Sequence, residues 1–370
     1  MGATAGVDGV PSTPTQDLRK VAVAMKIVAG LDLGSESISL WTMDQAGHRL
    51  GGGKTDWDEK VWKQWVKKYG AENLEVAFET GPEGYRADWM LKELGVKTYP
   101  FHAGHFGEIS RSRKKTDKID AEKICRALRG GALPRRVELP GPGQARLRNL
   151  VSEWEQLLKM LRQCEGRVKG LARQWGVKLP GYRSGDRESW WKAAVEAFPE
   201  RMRGDIRRQE RVALGLLQNQ LELGEAIGQE TKASGQSEQA EQLESIPGIG
   251  PTVSKATVAF LGDGARFGSG RKFAAYVGLA PSVEQTGKSE ARLGSITRQG
   301  PACLRRLLVQ AAHAAVQSHL FQASRWYQWF LKLKQRRGYR KAIVALARKL
   351  AEFCYAVVRD GRRWDPWPTT

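Results

Sequence analysis

The sequence predicts an α/β domain with a mixed sheet, followed by an all-α region. Three observations predict it. Short apolar runs alternate with amphipathic segments between Lys26 and Pro100, the pattern of strands covered by helices. Apolar residues then recur at steps of three and four from Leu147 to Trp175, which is a heptad seam. Beyond Leu243, Gly and Pro punctuate shorter helical stretches.

Residues 1–25 are rich in small residues, Thr and Pro and lack periodicity, so they are expected to be disordered. Met25 begins a segment that looks like a natural start. The α/β part spans 26–140. Ile27 to Leu33 suits a buried strand, and the alternation from Ser37 to Met43 suits its hairpin partner. Asp58 to Tyr69 is amphipathic, with Val61, Trp62, Trp65 and Val66 on one side. Leu74 to Glu79 is a strand ending at a carboxylate. Pro82 to Leu94 is a helix with Pro near its start and Gly95 past its end. Val96 to Pro100 is a further strand, and a helix bearing Asp117 and Asp120 follows.

Gly130 to Gln144 reads as a linker. The seam in 141–240 predicts a coiled-coil arm, either packing on itself or pairing two subunits. Lys178 to Asp186 is a turn, Arg187 to about Lys232 is helical again, and Ala233 to Gln239 is a polar hinge. Within 241–330, LESIPGIGPTVSKA (243–256) resembles a helix–hairpin–helix, in which Gly248 and Gly250 offer backbone N–H groups to a phosphate. Arg266 to Gly300 is Gly- and Ser-rich, and Pro301 to Phe321 is helical. Trp326 to Val358 is basic, aromatic and helical, and 331–370 is a C-terminal basic helix and tail.

The chain has 370 residues and a formal net charge of +20, with a pI of about 9.9. That excess of cations calls for a polyanionic partner, nucleic acid first. An anionic membrane surface is the second candidate, but the sequence shows no run of about 18 apolar residues for a spanning helix and no expected signal peptide, which weighs against it. Four cysteines, Cys125, Cys164, Cys303 and Cys354, lie far apart without a CxxC pair. Neither a zinc ribbon nor a disulfide framework is supported, and a reducing cytoplasm fits.

Asp32 ends the first strand and Glu79 a later one, while Asp117 and Asp120 share a helix face at i and i+3. Carboxylates on strand ends that converge with helix carboxylates can hold paired divalent metals ~4 Å apart for phosphodiester chemistry. Mg²⁺ suits an all-oxygen set. Arg111, Arg113, Lys114, Lys115 and Lys118 surround the aspartates and suit a nucleic-acid backbone. Alone, the aspartate pair also fits a solvated face of mixed charge. GLDLGS is similar to a phosphate loop of sugar kinases, but no second such loop follows. His102 and His105 lack a matching third metal ligand.

A second constellation lies in 267–306. Hydroxyls at Ser282, Thr286, Ser289, Ser295 and Thr297 sit among Lys288, Arg292, Arg298, Arg305 and Arg306. A hydroxyl in a cationic pocket can attack a phosphodiester. The same segment also reads as a basic loop that binds a nucleic-acid backbone.

Taken together, the Asp32 and Glu79 strands, KTDKIDA (115–121), the central seam, IPGIG, AAYVGLAP and GSITRQGxxxLRR resemble the insertion-sequence family one-ten, the DEDD transposases that include Piv-type invertases. The resemblance implies an RNase H-like (RuvC-like) mixed-sheet domain, a coiled-coil linker and a mainly helical C-terminal transposase domain. It implies Mg²⁺-dependent recombination of donor and target DNA, directed by a noncoding bridge RNA, in a bacterial or archaeal nucleoid. It also implies a dimer or tetramer in which the four acids of one subunit meet a nucleophilic serine of another. The family has Ser-Gly where this chain has Thr286-Gly287. The β-methyl of Thr restricts χ1 and crowds the attacking oxygen. Thr286 as nucleophile, Ser289 in its place, or loss of strand transfer are the readings left open. A metal-dependent junction resolvase without a covalent step, and a nucleic-acid-binding relative without chemistry, are the competing functions.

Overall fold

The computed structural model describes residues 26–102, 117–181, 186–284 and 292–366. The chain divides into two compact units, Met1–Leu139 and Pro140–Thr370.

The first unit is built on a five-stranded mixed sheet. Its strands are β1 (Ile27–Leu33), β2 (Ser37–Met43), β3 (Arg49–Asp56), β4 (Leu74–Glu79) and β5 (Lys97–Phe101), in the order β3-β2-β1-β4-β5. β1, β2 and β3 form an antiparallel meander, while β4 runs parallel to both β1 and β5. The strands expected at 27–33, 37–43 and 74–79 form with those bounds. β3 was not expected. Its sequence RLGGGKTD carries three successive glycines and little apolar signal, so only pairing to β2 makes it a strand.

Alternation along β1 and β4 sends their side chains to two different cores. Ile27, Ala29, Leu31, Leu74, Val76 and Phe78 pack with Trp62 and Val66 of α1 (Glu59–Tyr69) and with Ala87 and Leu91 of α2 (Pro82–Glu93). Asp58 caps α1 by accepting the Lys60 N–H at 2.9 Å. Buried Asp88 ties α2 to β5, accepting from Thr98 Oγ1 at 2.6 Å and pairing with Lys92 at 2.7 Å. On the other face, Val28 packs with Ala121 and Cys125 of α3 (Asp117–Arg129), and Ala77 packs with Ile124 and Ala127. The expected linker is split in its role. The Val137 N–H donates to the Pro100 carbonyl at 2.7 Å and Leu139 is buried in the first unit.

In the second unit, α4 (Pro142–Gln174) and α6 (Glu200–Ala233) pack against each other, with α5 (Arg187–Ala197) beside them. They run antiparallel. Arg146 near the start of α4 pairs with Glu230 near the end of α6 at 2.8 Å. Leu161, Val168 and Ala172 share a core with Trp191, Ile206 and Ala213. The heptad seam is therefore met within the chain, as a helical hairpin. Its buried line is Leu147, Val151, Leu158, Leu161, Val168 and Ala172, and it includes Glu155 and Glu165. The expected seam residues Leu150, Trp154, Leu157, Cys164 and Leu171 flank that line half-buried. Trp175 stands 38% exposed.

The remainder comprises α7 (Ser237–Leu243), α8 (Pro251–Leu261), α9 (Gly270–Tyr276), the antiparallel hairpin β6 (Pro281–Glu284) and β7 (Arg292–Ile296), then α10 (Ala302–Ala315), α11 (His319–Gln322), α12 (Arg325–Arg337) and α13 (Tyr339–Asp360). α7 begins inside the stretch expected as a hinge. One core joins Leu147 and Val151 to Ile249, Leu308, Leu346 and Leu350. Residues 140–370 thus form one unit across the expected divisions at 240 and 330. Among the described residues no helix is long and apolar enough to cross a membrane.

Candidate active site

The first unit brings three of the four predicted acids to one end of its sheet. The last registered pair of the parallel strands β1 and β4 is Leu31 with Phe78. Asp32 and Glu79 are the next residue on each strand, so they stand side by side at the carboxyl ends, where open α/β sheets bind ligands. Strand alternation puts Asp32 on the face of Gly30 and Glu79 on the face of Ala77, and both faces are covered by α3.

α3 lies almost in contact with the β1 backbone. A Cβ on Gly30 would overlap the Ala121 carbonyl oxygen and stand 2.5 Å from the Cys125 nitrogen. The Cys125 thiol donates to the Val28 carbonyl at 3.3 Å. Burial pushes that thiol up to about 12, so it serves as a neutral donor in the packing. Ala121 thus opposes Gly30, while Cys125 reaches back to Val28, and the helix runs opposite to β1. Its first turn, which begins at Asp117 and contains Asp120, is aimed toward the end of β1 that carries Asp32. Asp32, Glu79 and Asp120 are all half-buried. Lys123 approaches Asp120 at 3.5 Å.

The side chains of Asp117 and Lys118 lie outside the described residues, as do Arg111, Arg113, Lys114 and Lys115. So does His105. Among the described residues no three His, Cys, Asp or Glu side chains converge closely enough to hold a metal ion. The donor set of Asp32, Glu79 and Asp120 is nonetheless all oxygen, which fits a hard divalent cation in kind.

In the second unit, the segments YVGLAP and ITRQGP lie along each other. Thr297 N–H donates to the Ala280 carbonyl at 2.9 Å and Arg298 N–H to the Gly278 carbonyl at 3.2 Å. Gly278 leaves room for the Gln299 backbone, which any Cβ there would strike. Arg305 clamps the pair, donating from one nitrogen to the Val277 carbonyl at 2.9 Å and the Gln299 carbonyl at 3.0 Å. Burial, with Arg306 and Arg298 nearby, pulls its guanidinium below the ordinary value. Arg305, a predicted backbone binder, is therefore engaged inside the protein. Arg298 is exposed and is the only non-glycine residue with positive φ (56°) among the described residues, a strained conformation of the kind found at functional sites. Arg306 forms a two-pronged pair with Glu155 of α4. The Arg292 side chain, and Thr286, Lys288 and Ser289 between β6 and β7, lie outside the described residues.

Gly248 (φ 86°) and Gly250 sit in the tight turn between α7 and α8, as a helix–hairpin–helix reading requires. The need for glycine at 248 comes from packing: a Cβ there would overlap the Ala311 carbonyl and stand 2.7 Å from the Ala315 nitrogen. Gly250 faces open space and precedes Pro251 at the start of α8. Sequence reasoning missed Gly30, Gly278 and Glu155. The signals available were a glycine inside an apolar strand, which marks close backbone approach, and a glutamate on an apolar helix line.

Two family models match the chain. A DEDD-type transposase model covers residues 29–175, and the model of the transposase IS116/IS110/IS902 family covers 240–328. The chain is 28% identical over 269 residues to the transposase for insertion sequence element IS1111A of Coxiella burnetii, covering 72% of each chain. It is 36% identical over 124 residues to the transposase for insertion sequence element IS1328 of Yersinia enterocolitica, covering 34% of this chain and 37% of that protein. It is 36% identical over 128 residues to the pilin gene-inverting protein of Moraxella lacunata, covering 34% of this chain and 38% of the relative. A DEDD-type domain implies dependence on a divalent metal in general terms. With the acids at the carboxyl ends of β1 and β4 and both family segments in order, this chain belongs to the IS116/IS110/IS902 family of insertion-sequence transposases and is a DNA transposase/recombinase.

Proposed function

We propose that the protein excises and inserts an insertion sequence by Mg²⁺-dependent strand exchange between donor and target DNA, guided by a noncoding RNA. The observation that carries this reading is the placement of Asp32 and Glu79 one residue beyond the last registered pair of adjacent parallel strands, with the first turn of α3 aimed toward that end. The mixed sheet beneath them supports an RNase H-like (RuvC-like) assignment. Asp32, Glu79, Asp117 and Asp120 would hold Mg²⁺, which when bound supplies charge stabilisation to a reacting phosphodiester. The acids orient that phosphodiester, and the basic run 111–118 holds the flanking backbone.

Thr286 is the nucleophile in this reading. Its Oγ1 forms a bond to phosphorus, one deoxyribose oxygen leaves with the electron pair, and that strand end takes up the proton as a free hydroxyl. A second strand hydroxyl then displaces Thr286 in the reverse sense. The protein acts as a dimer or tetramer.

Trapping the covalent protein–DNA adduct tests the step. Wild type and Ser289→Ala are expected to form it in the presence of Mg²⁺, and Thr286→Val to lack it. An adduct that survives Thr286→Val sinks Thr286 as nucleophile. Mg²⁺-dependent cleavage with no adduct in any variant would point to a resolvase instead. Guidance by RNA is tested by adding the transcript of the flanking noncoding DNA. Strand exchange unaffected by that transcript would remove the guide from the mechanism.

A further inference from the structure

The elbow between α12 and α13 lies outside both family matches, which end at 328. No Asp or Glu occurs between Glu290 and Glu352. Within that acid-free stretch the elbow concentrates Lys332, Lys334, Arg336, Arg337, Arg340 and Lys341, all of them exposed. Among the described residues none of these six forms an ion pair with a carboxylate. Six cations without a carboxylate partner within ten positions repel one another, beyond what the last turn of α12, which holds three of them, would draw to a helix C-terminus.

An aromatic ring stands among them. Tyr339 is 41% exposed, directly after the turn at Gly338. It is held from within. Its hydroxyl is hydrogen-bonded to His313 Nδ1 at 3.0 Å, and its ring meets Phe330 edge-on with centroids 6.2 Å apart. Lys334 Nζ lies 5.9 Å from the ring centre. A ring that is anchored on its inner side and bare on its outer side, with cations around it, is the arrangement that stacks an unpaired base while the cations track the backbone. Duplex nucleic acid has its bases already stacked and gives such a ring nothing to bind.

We propose that the α12–α13 elbow is a binding site for single-stranded nucleic acid, with Tyr339 stacking a base and Lys334, Arg337 and Arg340 holding phosphates. The proposal shares with the proposed function only that nucleic acid is the partner. Binding is measured without divalent metal, so loss of strand cleavage leaves it standing, and failure of the elbow leaves the acids of the first unit untouched.

The test is fluorescence anisotropy with the full chain and labelled oligonucleotides of one sequence, as single-stranded DNA, single-stranded RNA and duplex DNA. Reversing Lys334, Arg337 and Arg340 to Glu is expected to weaken single-strand binding by about tenfold or more and to flatten its salt dependence. Tyr339→Ala is expected to weaken it about fivefold or more with the salt dependence unchanged, while Tyr339→Phe keeps the affinity. The DNA and RNA arms show which strand the site prefers. Unchanged single-strand affinity in the charge-reversed variant, with thermal unfolding like wild type, overturns the site. Equal losses on single strand and duplex, with Tyr339→Ala silent, overturn the single-strand assignment.

Discussion

Gly30 of β1 lies against Ala121 of α3 so closely that a side chain at 30 would overlap the Ala121 carbonyl oxygen. That approach sets how near the first turn of α3, with Asp120, comes to the strand end that carries Asp32. Because the obstacle is helix backbone, it cannot turn aside as a side chain does. Gly30→Ala is expected to lift α3 from the sheet, destabilising the first unit by about 3 kcal/mol through overpacking. DNA cleavage should fall further than the fraction unfolded explains. Thermal unfolding and a cleavage assay, run below the melting transition, check both. Wild-type cleavage in Gly30→Ala would show that the helix-to-strand distance does not matter to the chemistry.

Asp32 and Glu79 are half-buried side by side at the carboxyl ends of adjacent parallel strands. Asp32→Asn and Glu79→Gln keep shape and remove charge. Each is expected to lower cleavage by about a hundredfold or more, the scale seen when one electrostatic stabiliser is removed. DNA affinity should not fall, since neutralising an acid removes repulsion of the backbone. A chelator should abolish cleavage and added Mg²⁺ restore it. Full cleavage by both variants would remove the acids from the reaction.

Arg305 separates two roles that a basic residue in a transposase can have. It donates to the carbonyls of Val277 and Gln299 and so joins the two motif segments. Both bonds leave one terminal guanidinium nitrogen; the ammonium of lysine keeps the charge but ends one atom short of that point. Arg305→Lys is therefore expected to destabilise the second unit by about 2 kcal/mol, the scale of hydrogen bonds to a charged group. Chemical denaturation measures it. If Arg305 instead served as a phosphate contact, Lys would preserve both stability and DNA affinity. Arg298, exposed and strained, is the contrasting case: Arg298→Ala should weaken DNA binding and leave the unfolding midpoint unchanged.

How much of this was readable in the sequence varies by element. β1, β2 and β4 were legible because apolar runs of that length, bounded by turns, have few alternatives. β3 was not, since RLGGGKTD becomes a strand only through β2. Asp32 and Glu79 could be assigned to strand ends, but their adjacency depends on β4 pairing parallel to β1, which no local pattern encodes. The heptad seam was legible as a helix. Its partner was not, because a 3.5-residue repeat looks alike whether α6 or a second subunit covers it. Gly248 shows the reverse problem. A Gly-x-Gly turn suggested phosphate binding, whereas contact with the α10 backbone alone accounts for glycine at that position. The basic character of 331–370 was plain, but the placement of Tyr339 over His313 required the fold.

Glu75 gives the first unit a pH-dependent element away from the acids. Burial works against its carboxylate, yet hydrogen bonds and charges from Lys97 at 2.8 Å and Lys26 at 2.9 Å outweigh it and hold its pKa below the ordinary 4.5. A carboxylate lowered on folding adds stability that is fully present above its unfolded pKa and is lost as the pH falls through the folded value. Both lysines are more than half exposed, at 54% and 62%, so solvent screens the pair and its worth is about 1 kcal/mol. Glu75→Gln should therefore lower the unfolding free energy of the first unit modestly at neutral pH. The difference from wild type should shrink as the pH drops below the ordinary carboxylate value and vanish once Glu75 is protonated in the folded protein. High salt should also reduce it. Paired denaturation curves at neutral and acid pH measure the effect, and a difference that stays constant across that range would show that Glu75 contributes through packing and not through its charge.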